Sequence, residues 1–178
     1  MNIVTNMNKV DKIFLIGFMG SGKSTLGRKL AKLLGYEVVD LDKLIELEVG
    51  MSIPDYFQQY GEDKFRRLEC DLLYNTRYPD KVVVATGGGT PCYFDTMDWM
   101  NMNGVTIYIS LNVLALVNRL KNAKVDRPLI KNMQEDELVG FVAKKLAERE
   151  VFYEKAKFMV SGIDLTAEKL VHYLHMIN

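Results

Sequence analysis

Gly17-Phe18-Met19-Gly20-Ser21-Gly22-Lys23-Ser24-Thr25 fits the phosphate-loop pattern G-x-x-x-x-G-K-[ST], with the apolar run Lys12 to Ile16 ahead of it. Behind it, Leu26, Leu30, Leu33 and Leu34 recur at helical spacing. A strand, a glycine-rich turn and a helix in that order decide the fold class as α/β. Gly17, Gly20 and Gly22 let backbone N–H groups curl around phosphate oxygens, because glycine reaches positive φ without steric cost. Lys23 brings a charge to the β and γ phosphates, Ser24 offers a hydroxyl to Mg²⁺, and the helix points its positive end at the nucleotide. Gly20, Ser21, Gly22, Lys23, Ser24 and Thr25 are therefore the expected nucleotide-binding set, with Mg-ATP or Mg-GTP as ligand.

Outward from the loop, short apolar runs alternate with longer amphipathic stretches, as in a parallel sheet flanked by helices. Strands are predicted at Lys12 to Ile16, Glu37 to Asp40, Lys81 to Ala85, Val105 to Ser110 and Phe158 to Ser161. Helices are predicted at Lys23 to Leu34, Lys43 to Val49, Ser52 to Tyr60, Glu62 to Asn75, Asp95 to Asn103, Val113 to Lys121, Gln134 to Lys157 and Ala167 to Ile177. Ser52, with Pro54 and Asp55 behind it, marks a helix start, and Gly35 a helix stop. Lys121 to Met133 is polar and basic, carries Arg127-Pro128 and has no periodicity, so a mobile loop is expected at about 121–133.

The 178 residues suit one domain, 1–178, in which about 70% of the unfolded chain's surface would be buried. Residues 1–11 are expected to be a disordered lead without the layout of a secretory signal. No apolar run approaches a membrane span, and the expected location is the cytoplasm. Lysine plus arginine and aspartate plus glutamate stand at 23 each, so no overall field argues for nucleic acid or an anionic membrane. An anionic ligand would have to be caught by local arginines, and the balanced chain is expected to be a monomer. Cys70 and Cys92 suggest neither a disulfide framework nor a zinc site.

Chemistry is expected beyond the carboxyl ends of the strands. The second strand ends in Asp40-Leu41-Asp42, whose alternation would turn both carboxylates to one side near the phosphate loop. There Asp40 could hold Mg²⁺, directly or through water, and Asp42 could accept a hydrogen bond from an attacking hydroxyl. Arg66 and Glu69 share a helix face, either as a surface ion pair or with Glu69 orienting Arg66 to grip a carboxylate. Gly87-Gly88-Gly89, after the third strand, lose chain entropy with nothing to gain in packing, as expected where a backbone approaches a ligand. Arg127 could swing from the loop onto the transferring phosphoryl group. Arg149 and Tyr153 share a face of the long helix, as a support pair or as a second clamp.

Taken together and in this order, these pieces resemble the shikimate kinase family over nearly the whole chain from Lys12 onward. The matching pieces are GFMGSGKST at Gly17 to Thr25, DLD at Asp40 to Asp42, GEDKFRRLE at Gly61 to Glu69, GGGT at Gly87 to Thr90, RPL at Arg127 to Leu129 and RxxxY at Arg149 to Tyr153. The resemblance implies a three-layer P-loop fold, a five-stranded parallel sheet in the order 2-3-1-4-5 with flanking helices, substrate-binding helices at about 42–75 and a mobile lid at about 121–133. It also implies transfer of the γ-phosphoryl group of ATP to the 3-hydroxyl of shikimate, a step of aromatic amino acid biosynthesis. Carried over, Lys23 and the loop amides hold the phosphates, Ser24 and Asp40 hold Mg²⁺, and Asp42 orients the acceptor hydroxyl, with proton abstraction as a second capacity. Arg66 and Arg149 grip the carboxylate, Gly87, Gly88 and Gly89 meet the ring, Arg127 closes from the lid, and Glu69 and Tyr153 support. Lys121 to Asp126 stands as a lysine-rich insert before RPL, and Arg119 could lie against the adenine face, as an alternative to a solvated arginine. A gluconate-type small-molecule kinase would share the phosphate loop, but not FRRLE and GGGT together with Arg149. A non-catalytic nucleotide switch would need only the nucleotide half.

Overall fold

Val82-Val83-Val84-Ala85 is buried at every residue, which requires a central strand covered on both faces of its sheet. The computed structural model describes residues 10–123, 130 and 133–177 and contains one such sheet. Its strands are β1 (Lys12–Ile16), β2 (Glu37–Asp40), β3 (Val82–Ala85), β4 (Val105–Ser110) and β5 (Phe158–Ser161). All pair in parallel in the order β2-β3-β1-β4-β5, as expected. The helices are α1 (Lys23–Leu34), α2 (Leu41–Val49), α3 (Ile53–Tyr60), α4 (Glu62–Asn75), α5 (Thr96–Asn103), α6 (Val113–Lys121), α7 (Glu135–Tyr153) and α8 (Ala167–Ile177).

Alternation along the strands divides the core in two. Ile13, Leu15, Val83, Ile107 and Ile109 meet Leu26, Leu30 and Ala31 of α1 and Leu170 and Leu174 of α8 on one face. Phe14, Ile16, Val82, Val84 and Tyr108 meet α2, α4, α5, α6 and α7 on the other, through Ile45, Leu73, Met100, Leu116 and Val142 among others. Phe14, aligned with Val84 on one side and Thr106 on the other, meets Trp99 and Tyr78 edge-on, with ring centroids 6.0 and 6.3 Å away. Because every strand runs the same way, β1, β2 and β3 deliver the phosphate loop, the Asp40 junction and the triple glycine to one edge of the sheet.

Local signals held at most ends. Gly35 closes α1 in the left-handed conformation at φ 68°, and the Ser52 hydroxyl accepts from Asp55 N at 3.2 Å to start α3. The long helix α7 stops at Tyr153, four residues short of the predicted Lys157. Beyond it Asn101 donates to the Lys155 carbonyl at 2.9 Å, and Lys157 N donates to Thr106 Oγ1 at 2.8 Å, pulling the chain into β5. Val10 and Asp11, read from sequence as part of a lead, are already tied to the fold: Tyr36 Oη donates to the Val10 carbonyl at 2.9 Å, and Val82 N to that of Asp11 at 2.8 Å. Among the described residues, no helix is long and apolar enough to cross a membrane.

Leu30 is fully buried between α1 and the sheet. Leu30→Ala is expected to lower unfolding free energy by about 2–5 kcal/mol in urea denaturation, through lost transfer energy and a residual cavity.

Candidate active site

The phosphate loop takes its shape from left-handed backbone at Gly17, Gly20 and Gly22, with φ of 141°, 80° and 98°. Gly22 starts α1 with no side chain capping it and no acidic residue in the first turn, so the helix end keeps its amides and positive dipole for an anion. Lys23 is buried, and its ammonium donates to the carbonyls of Gly17 and Phe18 at 2.8 and 2.9 Å, curled back over the loop. Ser21 Oγ is buried without a hydrogen-bond partner among the described residues, an unmade bond at the anion cradle worth about 1–3 kcal/mol. Ser24 and Thr25 open the helix, the first half-buried and the second exposed.

The two carboxylates of Asp40-Leu41-Asp42 reach the site by a different route from the predicted strand alternation. Strand β2 ends at Asp40 and Leu41 already begins α2, so Asp42 lies in the first turn of a helix. Asp40 caps that helix, its carboxylate accepting from Lys43 N at 3.5 Å. Asp42 is partly reached by solvent, yet crowding by surrounding protein withdraws its carboxyl from bulk water and pushes its pKa up to about 6. Lys23 pulls the other way, while the negative charges of Glu69, Asp40 and Glu46 add to the rise. A carboxylate held near neutrality beside a lysine can accept a hydrogen bond and can also take a proton.

Arg66 is buried on α4, and its Nη1 donates to Glu69 Oε2 at 2.7 Å. Burial opposes its charge, and Glu69 restores it. Glu69 is itself buried, and its other oxygen accepts from Thr90 Oγ1 at 2.6 Å, so the pair is an internal fixture rather than a surface ion pair. The triple glycine proves to have a packing reason. None of Gly87, Gly88 and Gly89 uses positive φ. A Cβ on Gly87 would stand 2.6 Å from Glu69 Oε1 and 2.9 Å from Asp42 Oδ1, and one on Gly89 would stand 2.6 Å from both terminal nitrogens of Arg66. A Cβ on Gly88 would lie 3.6 Å from Arg149 Nη1 and 3.6 Å from the Gly17 carbonyl. One turn thus touches Asp42, Glu69, Arg66, Arg149 and the phosphate loop.

Helix α7 supplies the last members. Arg149 lies with Cζ 5.6 Å from the centre of the Phe18 ring, in the phosphate loop. Tyr153 is fully buried, donates to the Gly88 carbonyl and packs on Tyr108 with ring centroids 5.1 Å apart. Burial drives its phenol well above the usual range, so it stays a donor.

A cavity of about 540 Å³ opens on the other side of the loop, lined among others by Ser21, Gly22, Thr25, Arg119, Gly162 and Thr166. Arg119 bridges the Ser21 carbonyl at 2.8 Å and the Gly162 carbonyl at 3.0 Å. Ser21, Gly22, Thr25 and Arg119 were open to sequence reading, whereas Gly162 and Thr166 belong to no motif and become neighbours of the loop only through the pairing of β4 with β5. Arg127, predicted to act from the lid, lies outside the described residues.

Comparison with known proteins bears on this geometry. The family model described as SKI: Shikimate kinase matches residues 19–177. The shikimate kinase of Phocaeicola vulgatus is 40% identical over 160 residues, spanning 90% of this chain and 91% of that protein. Among solved structures, shikimate kinase from Bacteroides thetaiotaomicron superposes with a TM-score of 0.88 at 35% identity, covering 93% of this chain and 97% of that one. Shikimate kinase from Acinetobacter baumannii, in complex with shikimate, gives a TM-score of 0.81 at 30% identity, covering 95% and 93%.

Two substitutions test the arrangement without any ligand. Because the folded state raises the pKa of Asp42, it holds a proton more tightly than the unfolded chain, and the carboxylate costs stability as pH rises past the ordinary value, about 3.9, through about 6. Asp42→Asn should therefore raise the melting temperature at pH 7 to 8, with the gain vanishing below about pH 4; equal melting at pH 8 would show that the site imposes no such cost. Gly89→Ala should lower stability in urea by about 1–3 kcal/mol as Arg66 is forced aside. Gly140→Ala is its control: a Cβ there meets nothing within 4 Å on α7, so it should be neutral or stabilising by up to about 1 kcal/mol.

Proposed function

The chain belongs to the shikimate kinase family of ATP-dependent kinases, and from that premise we propose that it transfers the γ-phosphoryl group of ATP to the 3-hydroxyl of shikimate, giving shikimate 3-phosphate and ADP. The observation that carries the reading is the triple-glycine turn, which meets a carboxylate, two arginines and the phosphate loop within a span of three residues. A hydroxylated ring with one carboxylate needs arginine at one end and, at its reacting hydroxyl, an acceptor next to the phosphates.

In this reading Arg66, steadied by Glu69, and Arg149 hold the shikimate carboxylate, and the glycines allow the ring to lie against the backbone. Asp42 accepts the hydrogen bond of the 3-hydroxyl and orients the oxygen toward the γ phosphate. With a pKa near 6 it is mostly ionised at neutral pH and able to take the proton as the O–P bond forms. The Lys23 ammonium leaves the carbonyls of Gly17 and Phe18 for the phosphate oxygens, where its charge follows the transferring group. Gly20, Ser21, Gly22, Ser24 and Thr25 complete the cradle, and Arg127, outside the described residues, neutralises charge on the transferring phosphoryl group. Positioning and charge carry most of the rate.

The Ser24 hydroxyl and the Asp40 carboxylate are hard oxygen donors, the donor type Mg²⁺ takes while keeping several waters. When bound there, Mg²⁺ supplies neutralising charge to the phosphates. Asp40 also caps α2, so its loss should weaken that helix as well as the ion.

A coupled assay of ADP release with Mg-ATP, run beside quinate, gluconate and no acceptor, tests the reaction. Release with shikimate alone is expected. Release with gluconate instead would reassign the acceptor, and none with any acceptor despite ATP binding would leave a nucleotide switch. Arg66→Lys should raise the KM for shikimate about ten-fold or more, since an ammonium cannot reproduce the planar fork.

A further inference from the structure

We propose that Tyr93 is a positioning residue for the acceptor site: by holding Glu62 and lying against the Arg66 guanidinium, it sets which edge of Arg66 faces the substrate carboxylate. The inference rests on the shikimate kinase reading given above.

Arg66 has five N–H bonds to distribute. Glu69 takes one on Nη1 at 2.7 Å, and a single oxygen of Glu62, Oε1, accepts from Nε and Nη2 at 3.3 Å each. The two N–H bonds that remain lie on Nη1 and Nη2, the pair that can meet both oxygens of an incoming carboxylate. Glu62 therefore decides whether the substrate finds the terminal fork or the side fork through Nε and Nη2.

By itself Glu62 is a poor guide. Its side chain is 51% exposed and its contacts to Arg66 are long, so rotamer entropy opposes one fixed position. Tyr93 Oη donates to the same Oε1 at 2.8 Å, and the Tyr93 ring centre lies 4.5 Å from Arg66 Cζ, nearer than the rings of Phe65 and Phe57 at 5.1 and 5.7 Å. Tyr93 thus bonds one member of the pair and lies against the other.

The backbone around it is held for the purpose. Thr96 Oγ1 reaches the carbonyls of Thr90 at 2.5 Å and Tyr93 at 2.7 Å, closing the turn that follows the triple glycine. Phe94, next in the chain, sits at φ 54°, a left-handed conformation that costs a bulky residue, and it is 57% exposed, so its own burial does not explain the strain. That turn begins at the residue next to Tyr93, whose ring lies against Arg66.

Steady-state kinetics in both substrates test this. Tyr93→Phe, which keeps the ring and removes the hydroxyl, should raise the KM for shikimate about three- to ten-fold while kcat and the KM for ATP stay within about two-fold. Glu62→Gln should act in the same direction, and the double variant should be no worse than Glu62→Gln alone, because the hydroxyl works through Glu62. Tyr93→Leu should be worse than Tyr93→Phe. An unchanged KM for shikimate in Tyr93→Phe overturns the proposal. So does a fall in kcat and melting temperature with both KM values rising together, which would make Tyr93 a structural residue. Absence of shikimate-dependent turnover in the unsubstituted protein would overturn the reaction itself, and this inference with it.

Discussion

The buried pair between Glu69 and Arg66 organises the region around the triple-glycine turn. Two charges three residues apart on α4 are withdrawn from water together, and each is satisfied twice: Glu69 by Arg66 and Thr90, Arg66 by Glu69 and Glu62. Removing either partner would strand a buried charge, at a cost of about 3–5 kcal/mol, so the neighbourhood is obliged to accommodate both. Gly87 and Gly89 are small because Glu69 and Arg66 occupy the space their side chains would need. Thr90 follows them as the hydroxyl that closes the Glu69 carboxylate, and the following turn brings Tyr93 against the guanidinium.

The phosphate-loop half answers to a different constraint, the gathering of hydrogen-bond donors around one glycine-rich turn. Three left-handed glycines shape the turn, the helix start is uncapped, the Ser21 hydroxyl is buried without a partner among the described residues, and the Lys23 ammonium is held over the loop by two of its carbonyls. Backbone amides and a positive helix end gathered in this way are the groups that suit an anion. Asp42 stands where the two halves meet. Its raised pKa records the same tension from the opposite sign, a carboxylate crowded by protein and by other carboxylates, with Lys23 as its counterweight. Such stored cost is the common accompaniment of a site built to act on a ligand rather than to stabilise the fold.

Three parallel strands make the halves meet. Since β2, β3 and β1 are neighbours and run in one direction, the segments leaving them emerge side by side: α2 with Asp42, the triple glycine, and the phosphate loop. Helix α7, packed on the same face as α2 and α4, adds its Tyr153 hydroxyl on the Gly88 carbonyl and its Arg149 guanidinium against the Phe18 ring.

What the sequence determined by itself was whatever depends on local spacing. The phosphate loop, the alternation of strands and helices, the Gly35 and Ser52 boundaries and the shared helix face of Arg66 and Glu69 are all set by residues within a few positions of one another. The tertiary structure alone decided matters of distance along the chain. Glycine at 87 and 89 was legible as a requirement but not as to its reason, since the obstructing atoms belong to α2 and α4. The place of Asp42 on a helix rather than a strand followed from Asp40 acting as a cap, a competition between turn and strand that alternation does not register. Gly162 and Arg119 at the cavity, and Tyr93 against Arg66, carry no motif because each meets its partner only after the sheet has assembled. Propensity and periodicity report on a residue's neighbours in sequence, whereas the burial of a charge and the close approach of a backbone depend on neighbours in space.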